Sequence, residues 1–474
     1  AKNNIVITEM DFPPNPDYIQ EVMNVAPVQV RNVSRWFNAI SVTSTDSTVL
    51  ETINQLPFVA SSERVRRFNV QKPEAIGLEK QSGNDSLQLS MLDLDHAHRL
   101  NYKGQNIKVA LFDSGYERAD ILPALASNYK EGRVKATIDM HDGDDFVGHH
   151  HHGTFVWSIM AADDPELQGA SPKSDYYLFR TEVVGFETRV EEDNWVAAAE
   201  MADSLGLDII NSSLGYTVFE NPEHSYTIED MDGQTTRISR AATWAAERGM
   251  VVVTSAGNLG DNTWGIISAP ADAPKVLSVG SVDRNENYSP FSSRGPTADG
   301  RVKPDVSAMG QQTSFAMLDS TIRQGNGTSF SSPLIASLAA CLMQASPQST
   351  AKEIRLAIIE SAHLYPDNTI ELGHGIPSFN KAFDLLSRWN LEGIQLILYP
   401  NPSSTEARLV ITGVEDPEID KIEIVDASGR LIREIEDLIC TENRISVYFN
   451  TDDLAEGIYY VKAGDDVVRM MVQR

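Results

Sequence analysis

Cysteine is nearly missing from this chain of 474 residues. The two that occur, Cys341 and Cys440, stand far apart, which excludes a disulfide framework and a Cys-x-x-Cys metal pair. Basic charge is also scarce: 39 Lys and Arg face 67 Asp and Glu, a formal net charge of -28. That balance speaks against a nucleic-acid or anionic-membrane surface, since both need clustered cations. It fits a soluble protein of the cell exterior. Long apolar runs are lacking too. The longest, "PLIASLAACLMQA" (333–345), is too short to cross a bilayer, so no transmembrane segment is expected. No signal peptide is expected within these 474 residues. The chain opens at "AKNNIVITEM" without Met, which points to a removed upstream segment. There is no tandem repeat and no low-complexity tract. What is present is ordinary globular material, 41% hydrophobic and 22% charged. At about 100–200 residues per domain, the length implies roughly two to four domains.

Four regions differ in pattern. Residues 1–70 read as a small α/β unit. "NIVITEM" is strand-like, "NPDYIQEVMNVA" is a helix capped by Asn, "WFNAISVT" alternates like a strand, "DSTVLETINQL" is a second capped helix and "ERVRRFNV" a closing strand. Residues 71–90, "QKPEAIGLEKQSGNDSLQLS", are polar and read as an exposed connector. From 91 to 388, short β-branched runs such as "NIKVALFD" and "MVVVTSAGN" alternate with amphipathic helices. That alternation predicts a parallel sheet covered by helices on both faces, with functional residues at strand C-termini. From 391 to 474 only short strands separated by turn residues remain, as expected of an all-β sandwich.

Four strand-end stretches carry polar residues that could act together. They are Asp113 in "VALFDSG", His152 in "HHGTFVWSIMAA", Asn258 in "VVVTSAGN" and Ser329 in "GNGTSFSSPLIASLAACLMQ". Acyl transfer by serine needs these parts. An imidazole takes the hydroxyl proton. A carboxylate orients the imidazole. An amide and a backbone N–H at a helix start receive the oxyanion.

The set resembles the subtilisin-like serine proteases. The matching stretches are "DSG" (113–115), "HGT" (152–154), "SLG" (213–215), "AGN" (256–258) and "GTSFSSP" (327–333), in that order, with "GASP" (169–172), "FSSRGPTADGRVKPDVSA" (291–308) and "GHGIP" (373–377) in support. The resemblance implies a subtilisin-like fold and a secreted serine endopeptidase with Asp113 orienting, His152 as general acid/base, Ser329 as nucleophile and Asn258 as oxyanion donor. It further implies that the Ser213-Leu214-Gly215 backbone pairs with an extended polypeptide substrate, and that Ala256 and Gly257 wall the pocket before the scissile bond. Two departures stand out. The commonest pattern reads His-Gly-Thr-His-Val-Ala-Gly, whereas here Phe155 and Trp157 replace a His and a small residue, and Phe330-Ser331 replace Met-Ala.

Residues 1–70 resemble a subtilase prodomain, here beginning internally. This implies a zymogen inhibited by its own prodomain and cut within 71–90. The C-terminal module, with "LYPNPSSTEARLVI" and "LAEGIYYVKAGDDVVRMMVQR", resembles the sorting domain of type IX secretion in Bacteroidetes. That implies contact with the type IX machinery, export across the outer membrane, and release or surface attachment. The chemistry needs no cofactor. Family habit leaves room for a structural calcium, and the metal ligands stay unassigned.

Other readings compete. His149 to His151 are expected to be solvated neighbours of His152; a zinc site with His141 would need more ligands. "HDGDD" (141–145) reads as an acidic turn and lacks the full ligand spacing of a calcium loop. Cys341 reads as a core residue. Trp195 and Trp264 either line a cleft or are buried. An α/β-hydrolase is excluded by the missing Gly-x-Ser-x-Gly elbow and by the residue order. A degenerate subtilase that serves as a binding or scaffold module is the alternative to an active protease.

Overall fold

The computed structural model describes residues 8–46, 48–65, 87–185, 187–389, 395–399, 401–412, 419, 421–436, 438–441, 444–464 and 466–474. They fall into two compact units, Ala1–Phe383 and Asp384–Arg474.

The first unit begins with α1 (Pro16–Val25), which starts where the sequence predicts. Asn15 Oδ1 accepts from the Asp17 N–H at 2.9 Å, and Pro16 occupies the first helical position. β1 (Gln29–Ser34) and β2 (Ala39–Thr43) form an antiparallel hairpin, and α2 (Val49–Ile53) follows. Val22, Ala26, Val49 and Ile53 close a small core. Two details differ from expectation. The described part of "NIVITEM" is not a strand: Glu9–Asp11 is a 3-10 turn, while residues 4–7 lie outside the described residues. Trp36 belongs to the hairpin turn and not to a strand, and it is buried among the core residues that follow. The closing strand predicted over 63–70 falls mostly outside the described residues.

The connector predicted over 71–90 is shorter at its C-terminal end. Residues 71–86 lie outside the described residues, but α3 (Leu87–Ser90) is a short helix with Gln88 and Leu89 buried. The Gln88 amide forms hydrogen bonds with the Ser314 backbone, accepting from its N–H at 2.9 Å. A polar Gln with both ends satisfied inside the body explains why composition alone read it as exposed.

Next come α4 (Leu94–Arg99), β3 (Lys108–Asp113), α5 (Ala126–Lys130), β4 (Val134–Asp139), α6 (His152–Ala161), a small hairpin of β5 (Asp163–Asp164) and β6 (Leu167–Gln168), β7 (Asp175–Arg180), α7 (Arg189–Leu205), β8 (Ile209–Ser212), α8 (Arg237–Glu247), β9 (Val251–Ser255), β10 (Leu277–Val282), β11 (Val306–Met309), the hairpin of β12 (Thr313–Ala316) and β13 (Ile322–Gly325), α9 (Thr328–Ala345), α10 (Ala351–Ser361) and α11 (Phe379–Trp389). Seven strands form one sheet in the order β11-β10-β9-β8-β3-β7-β4, and every pairing is parallel. This is the predicted helix-covered parallel sheet. Its central strands are buried on both faces, which is why they read as continuous apolar runs.

The chain leaves β3 toward β7 and β4 on one side, then returns to β8 on the other. The C-terminal end of β3 is therefore the point where strand order reverses, the place where open α/β sheets bind ligands. Side chains alternate along β3. Ala110 and Phe112 join the core shared with α7 and α8, so Asp113 is presented to the opposite face, where α6 and α9 pack.

The second unit is a sandwich. One sheet runs β14 (Gln395–Tyr399), β15 (Glu406–Thr412), β19 (Arg444–Asn450), β18 (Ile439–Thr441). The other runs β17 (Leu431–Ile435), β16 (Ile422–Asp426), β20 (Gly457–Ala463), β21 (Asp466–Val472). All its pairings are antiparallel, and Leu409, Ile411, Ile424, Val447, Val461 and Met470 lie in a common core.

Candidate active site

Asp113, the last residue of β3, is fully buried. Its Oδ1 accepts from the Ser114 N–H at 2.8 Å and lies 2.8 Å from His152 Nδ1. Two glycines make this approach sterically feasible. A Cβ on Gly153 would sit 2.5 Å from Gly115 O and 2.9 Å from Asp113 Cβ. A Cβ on Gly115 would sit 2.5 Å from the His150 backbone N. The glycines of "DSG" and "HGT" thus mark where the end of β3 and the start of α6 touch. Tyr116 sits beside Asp113; burial, with the Asp113 charge adding to it, holds its phenol well above the usual range. The neutral hydroxyl donates to Leu111 O at 2.8 Å.

Ser329 is the second residue of α9, in the first helical turn, where N–H groups have no partner within the helix. Its Oγ and Asn258 Nδ2 lie 2.9 and 3.6 Å from the place a Cβ on Gly327 would take. Asn258 is exposed and its amide is oriented by Thr328. Its Oδ1 accepts from the Thr328 N–H at 2.8 Å and the Thr328 hydroxyl at 3.0 Å. The Thr328 oxygen in turn accepts from the Gly257 N–H at 3.1 Å. With Oδ1 committed, the two Nδ2 hydrogens are left as the polar face of Asn258.

Pro333 stands inside α9, four residues after Ser329. It has no N–H, so the helix leaves the Ser329 carbonyl unsatisfied. Ser213 Oγ fills that gap, donating to Ser329 O at 3.1 Å. The spacing of Ser and Pro in "GTSFSSP" and the Ser of "SLG" are therefore parts of one contact. Ser213 and Leu214 are buried, yet among the described residues no hydrogen bond uses the backbone N–H or C=O of Ser213, Leu214 or Gly215. Ala256 and Gly257 differ: Ala256 pairs with Val279 and Ser268, and Gly257 O accepts from the Ser293 N–H. A Cβ on Gly257 would come within 3.0 Å of Ser293 Oγ and Ser268 Oγ.

The departures from the common pattern are connected. Phe155 packs on Phe315 of β12 with centroids 4.7 Å apart, Phe315 packs on Phe330 at 5.0 Å, and the His152 ring stacks on Phe330 at 6.3 Å. Phe155 and Phe330 thus grip one aromatic between α6 and α9, beside the imidazole. Trp157 is buried between Tyr129 and Tyr176. Trp195 is also core and donates to Ser212 Oγ at 3.0 Å, whereas Trp264 is partly buried against the same core. Cys341 is buried, and burial pushes its thiol far above the usual range.

Of the histidines before His152, His149 is exposed, as expected of a solvated neighbour, whereas His150 and His151 are half-buried, and all three make side-chain contacts. His149 lies 3.4 Å from Asp139 Oδ2 and packs on Phe146; His150 lies 2.8 Å from Ser114 Oγ; His151 packs on His150 and Phe155. Asp139, Asp142 and His149 could together face a metal ion. They do not fit a calcium, which takes oxygen ligands. Arg180 Nη1 already lies 2.5 Å from Asp139 Oδ2 and 2.8 Å from Asp142 Oδ2, supplying the positive charge. Burial raises the Asp142 carboxyl, but the Arg180 hydrogen bond and nearby cations bring it below its usual value overall.

The N-terminal hairpin lies on α7. Ser34 Oγ donates to Glu200 Oε1 at 2.5 Å, the Arg35 N–H to Glu200 Oε2 at 2.9 Å, and Arg35 Nη2 to Asp203 Oδ2 at 2.5 Å. Glu63 pairs with Arg237 and, at 3.5 Å, with Arg189.

Comparison with known proteins finds three family matches along the chain. Residues 104–382 match the subtilase family model, residues 1–81 the peptidase S8 propeptide domain of Bacteroidota, and residues 397–472 the secretion system C-terminal sorting domain. Similar curated proteins include subtilisin-like protease SBT6.1 of Arabidopsis thaliana, 27% identical over 64% of this chain and 28% of that protein. The membrane-bound transcription factor site-1 protease of Mus musculus is 30% identical over 63% of this chain and 27% of that protein. The chain thus spans less than a third of the length of these two relatives. Subtilisin DY of Bacillus licheniformis is 28% identical over 58% of this chain and 90% of that protein. A crystal structure of MycP1 from the ESX-1 type VII secretion system shares the fold, with a TM-score of 0.51 and 21% identity over 68% of this chain and 90% of that one.

Proposed function

The chain belongs to the subtilase family, and from that premise we propose that it is a serine endopeptidase, made as a prodomain-inhibited zymogen and exported by the type IX route. The observation that carries the reading is the contact of His152 Nδ1 with the buried Asp113 carboxylate, with the same ring stacked on the neighbour of Ser329. In this reading His152 Nε2 takes the Ser329 hydroxyl proton as Oγ bonds to the substrate carbonyl. The oxyanion is received by the Ser329 N–H and Asn258 Nδ2. Collapse breaks the C–N bond, and His152 returns the proton to the leaving amine. Water then repeats the sequence on the acyl-enzyme.

The uncommitted backbone of Ser213, Leu214 and Gly215 supports docking of the polypeptide substrate as an added strand. Ala256 and Gly257 are the proposed wall of the pocket before the scissile bond, and at Gly257, with φ +110°, a Cβ would crowd the Ser293 and Ser268 hydroxyls. No cofactor enters these steps. The propeptide match and the hairpin on α7 support inhibition by residues 1–70, and the cut is proposed within 71–90. The sorting-domain match marks the protein for export, with a secreted or cell-surface destination.

A fluorophosphonate probe tests the reading. Processed protein is expected to label at Ser329 and lose activity. Ser329→Ala is expected to stay full length while the wild type is clipped. Absence of labelling on prodomain-free wild type would favour the scaffold alternative.

A further inference from the structure

We infer that His150 is a positioning residue for the proposed triad: it draws the Ser114 hydroxyl away from Asp113 and so keeps that carboxylate available to His152. The inference rests on the protease reading above. Three polar contacts converge on Asp113 Oδ1: the Ser114 N–H at 2.8 Å, His152 Nδ1 at 2.8 Å, and Ser114 Oγ at 3.2 Å. The same Ser114 Oγ lies 2.8 Å from His150 Nδ1. A hydroxyl has one hydrogen, so it serves either the carboxylate or the imidazole.

Two observations favour the imidazole. The contact with His150 is the shorter of the two. In addition, the His152 backbone N–H lies 3.4 Å from the same Nδ1, which requires a lone pair there. His150 therefore carries its hydrogen on Nε2, and Nδ1 accepts from Ser114. Its place is fixed by backbone. The Glu117 N–H donates to His150 O at 2.8 Å, the Tyr116 N–H donates to Val147 O at 2.7 Å, and Gly115 brings the two segments into contact.

The consequence is electrostatic. Each hydrogen bond donated to Asp113 stabilises its charge and weakens its hold on a protonated His152. With Ser114 turned to His150, Oδ1 keeps one backbone donor and His152. Loss of the His150 acceptor would release the hydroxyl onto Asp113. Among the described residues, the charged and titratable groups around the pair include Asp113 and His152 across Ser114, Tyr116 beside Asp113, His151 in ring contact at 4.1 Å, and His149 with Asp139, Asp142 and Arg180 one residue back.

The test is the pH dependence of kcat/KM on a peptide p-nitroanilide, measured with processed enzyme. The variants are His150→Phe, which keeps a ring against His151, His150→Asn, Ser114→Ala and the Ser114→Ala/His150→Phe pair. In His150→Phe the acid limb is expected to move down by about half a unit to one unit. In Ser114→Ala it stays near wild type, because the hydroxyl removed is the one turned to His150 and not to Asp113. The double variant matches Ser114→Ala, because without the hydroxyl His150 has nothing to divert. His150→Asn, which restores an acceptor, lies closer to wild type and serves if the Phe variant fails to fold. Superimposable limbs in wild type and His150 variants, or shifts that add in the double variant, overturn the role while leaving the protease reading intact. A wild type that neither hydrolyses nor labels at Ser329 removes the protease reading and the relay with it.

Discussion

Asn258 offers the sharpest check on the proposed oxyanion site, because its two ends do different jobs. Oδ1 accepts from the Thr328 N–H at 2.8 Å and hydroxyl at 3.0 Å, which supports the start of α9; Nδ2 is the proposed donor to the oxyanion. Asn258→Ala removes both. Losing the acceptor at a helix start costs about 1 kcal/mol of stability. Losing the donor is expected to lower kcat by about 10²–10³, or about 2.7–4 kcal/mol, a magnitude measured on a subtilisin and carried over to this relative. Asn258→Asp separates the two effects. It keeps the acceptor, and its negative charge near the α9 N-terminus is favourable by about 0.3–1 kcal/mol. In place of the donor it sets a carboxylate against the developing oxyanion. The Asp variant is therefore expected to melt at or above the wild-type temperature while turning over at least as slowly as the Ala variant, with KM little changed. Thermal unfolding and steady-state kinetics on a p-nitroanilide peptide read both quantities. An Asp variant with kcat within about threefold of wild type would refute the assignment of Asn258 as the donor.

Two further perturbations follow from buried and interfacial charge. Glu192 is fully buried, and burial pushes its carboxyl from 4.5 up to about 7, although hydrogen bonds from the Tyr226 hydroxyl partly oppose this. A raised native pKa gives stability that is full below 4.5 and is lost as pH rises through about 7. Glu192→Gln should flatten that slope, gaining up to about 3 kcal/mol relative to wild type at pH 8; denaturant unfolding at pH 5 and pH 8 that shows equal differences would count against it. Glu63 is half exposed, so its pairs with Arg237 and Arg189 contribute only about 0–1 kcal/mol. Glu63→Gln should raise the activity recovered on diluting the processed complex by a few-fold at low salt and little at high salt; equal recovery at both salts would remove Glu63 from the interface energetics.

What the sequence made legible was local chemistry next to backbone proximity. "DSG" and "HGT" could be read because Gly115 and Gly153 record where two main chains meet, and Ser329 with Pro333 because their spacing is fixed by one helix. The contacts of His150 could not be read. Ser114 lies 36 positions earlier, and no spacing rule links a strand end to a loop that folds back on it. The link from Phe155 through Phe315 to Phe330 was hidden for the same reason, so each replacement looked isolated. The connector was misjudged at Gln88 because polarity predicts exposure unless the partner, here Ser314, is known. Three adjacent histidines looked equivalent in sequence, yet they meet Asp139, Ser114 and Phe155 respectively.

Trp36 shows what a cut in the connector would change. The residue is only 4% exposed and shares its core cluster with Phe112 and Trp195, while Phe37 beside it packs on Trp244 at 4.9 Å. A buried Trp removes about 150–250 Å² from water, which at about 25 cal/mol per Å² is some 4–6 kcal/mol. In the intact chain this contact is made at the effective concentration set by a short tether, about millimolar. Cleavage breaks no atom-to-atom contact at Trp36, but it makes the same seat depend on how much free propeptide surrounds the enzyme. Dilution outside the cell would then act as the second step of activation, and the indole seat would be one part of the mature surface that is new to solvent, beside the Glu200, Asp203 and Arg237 contacts.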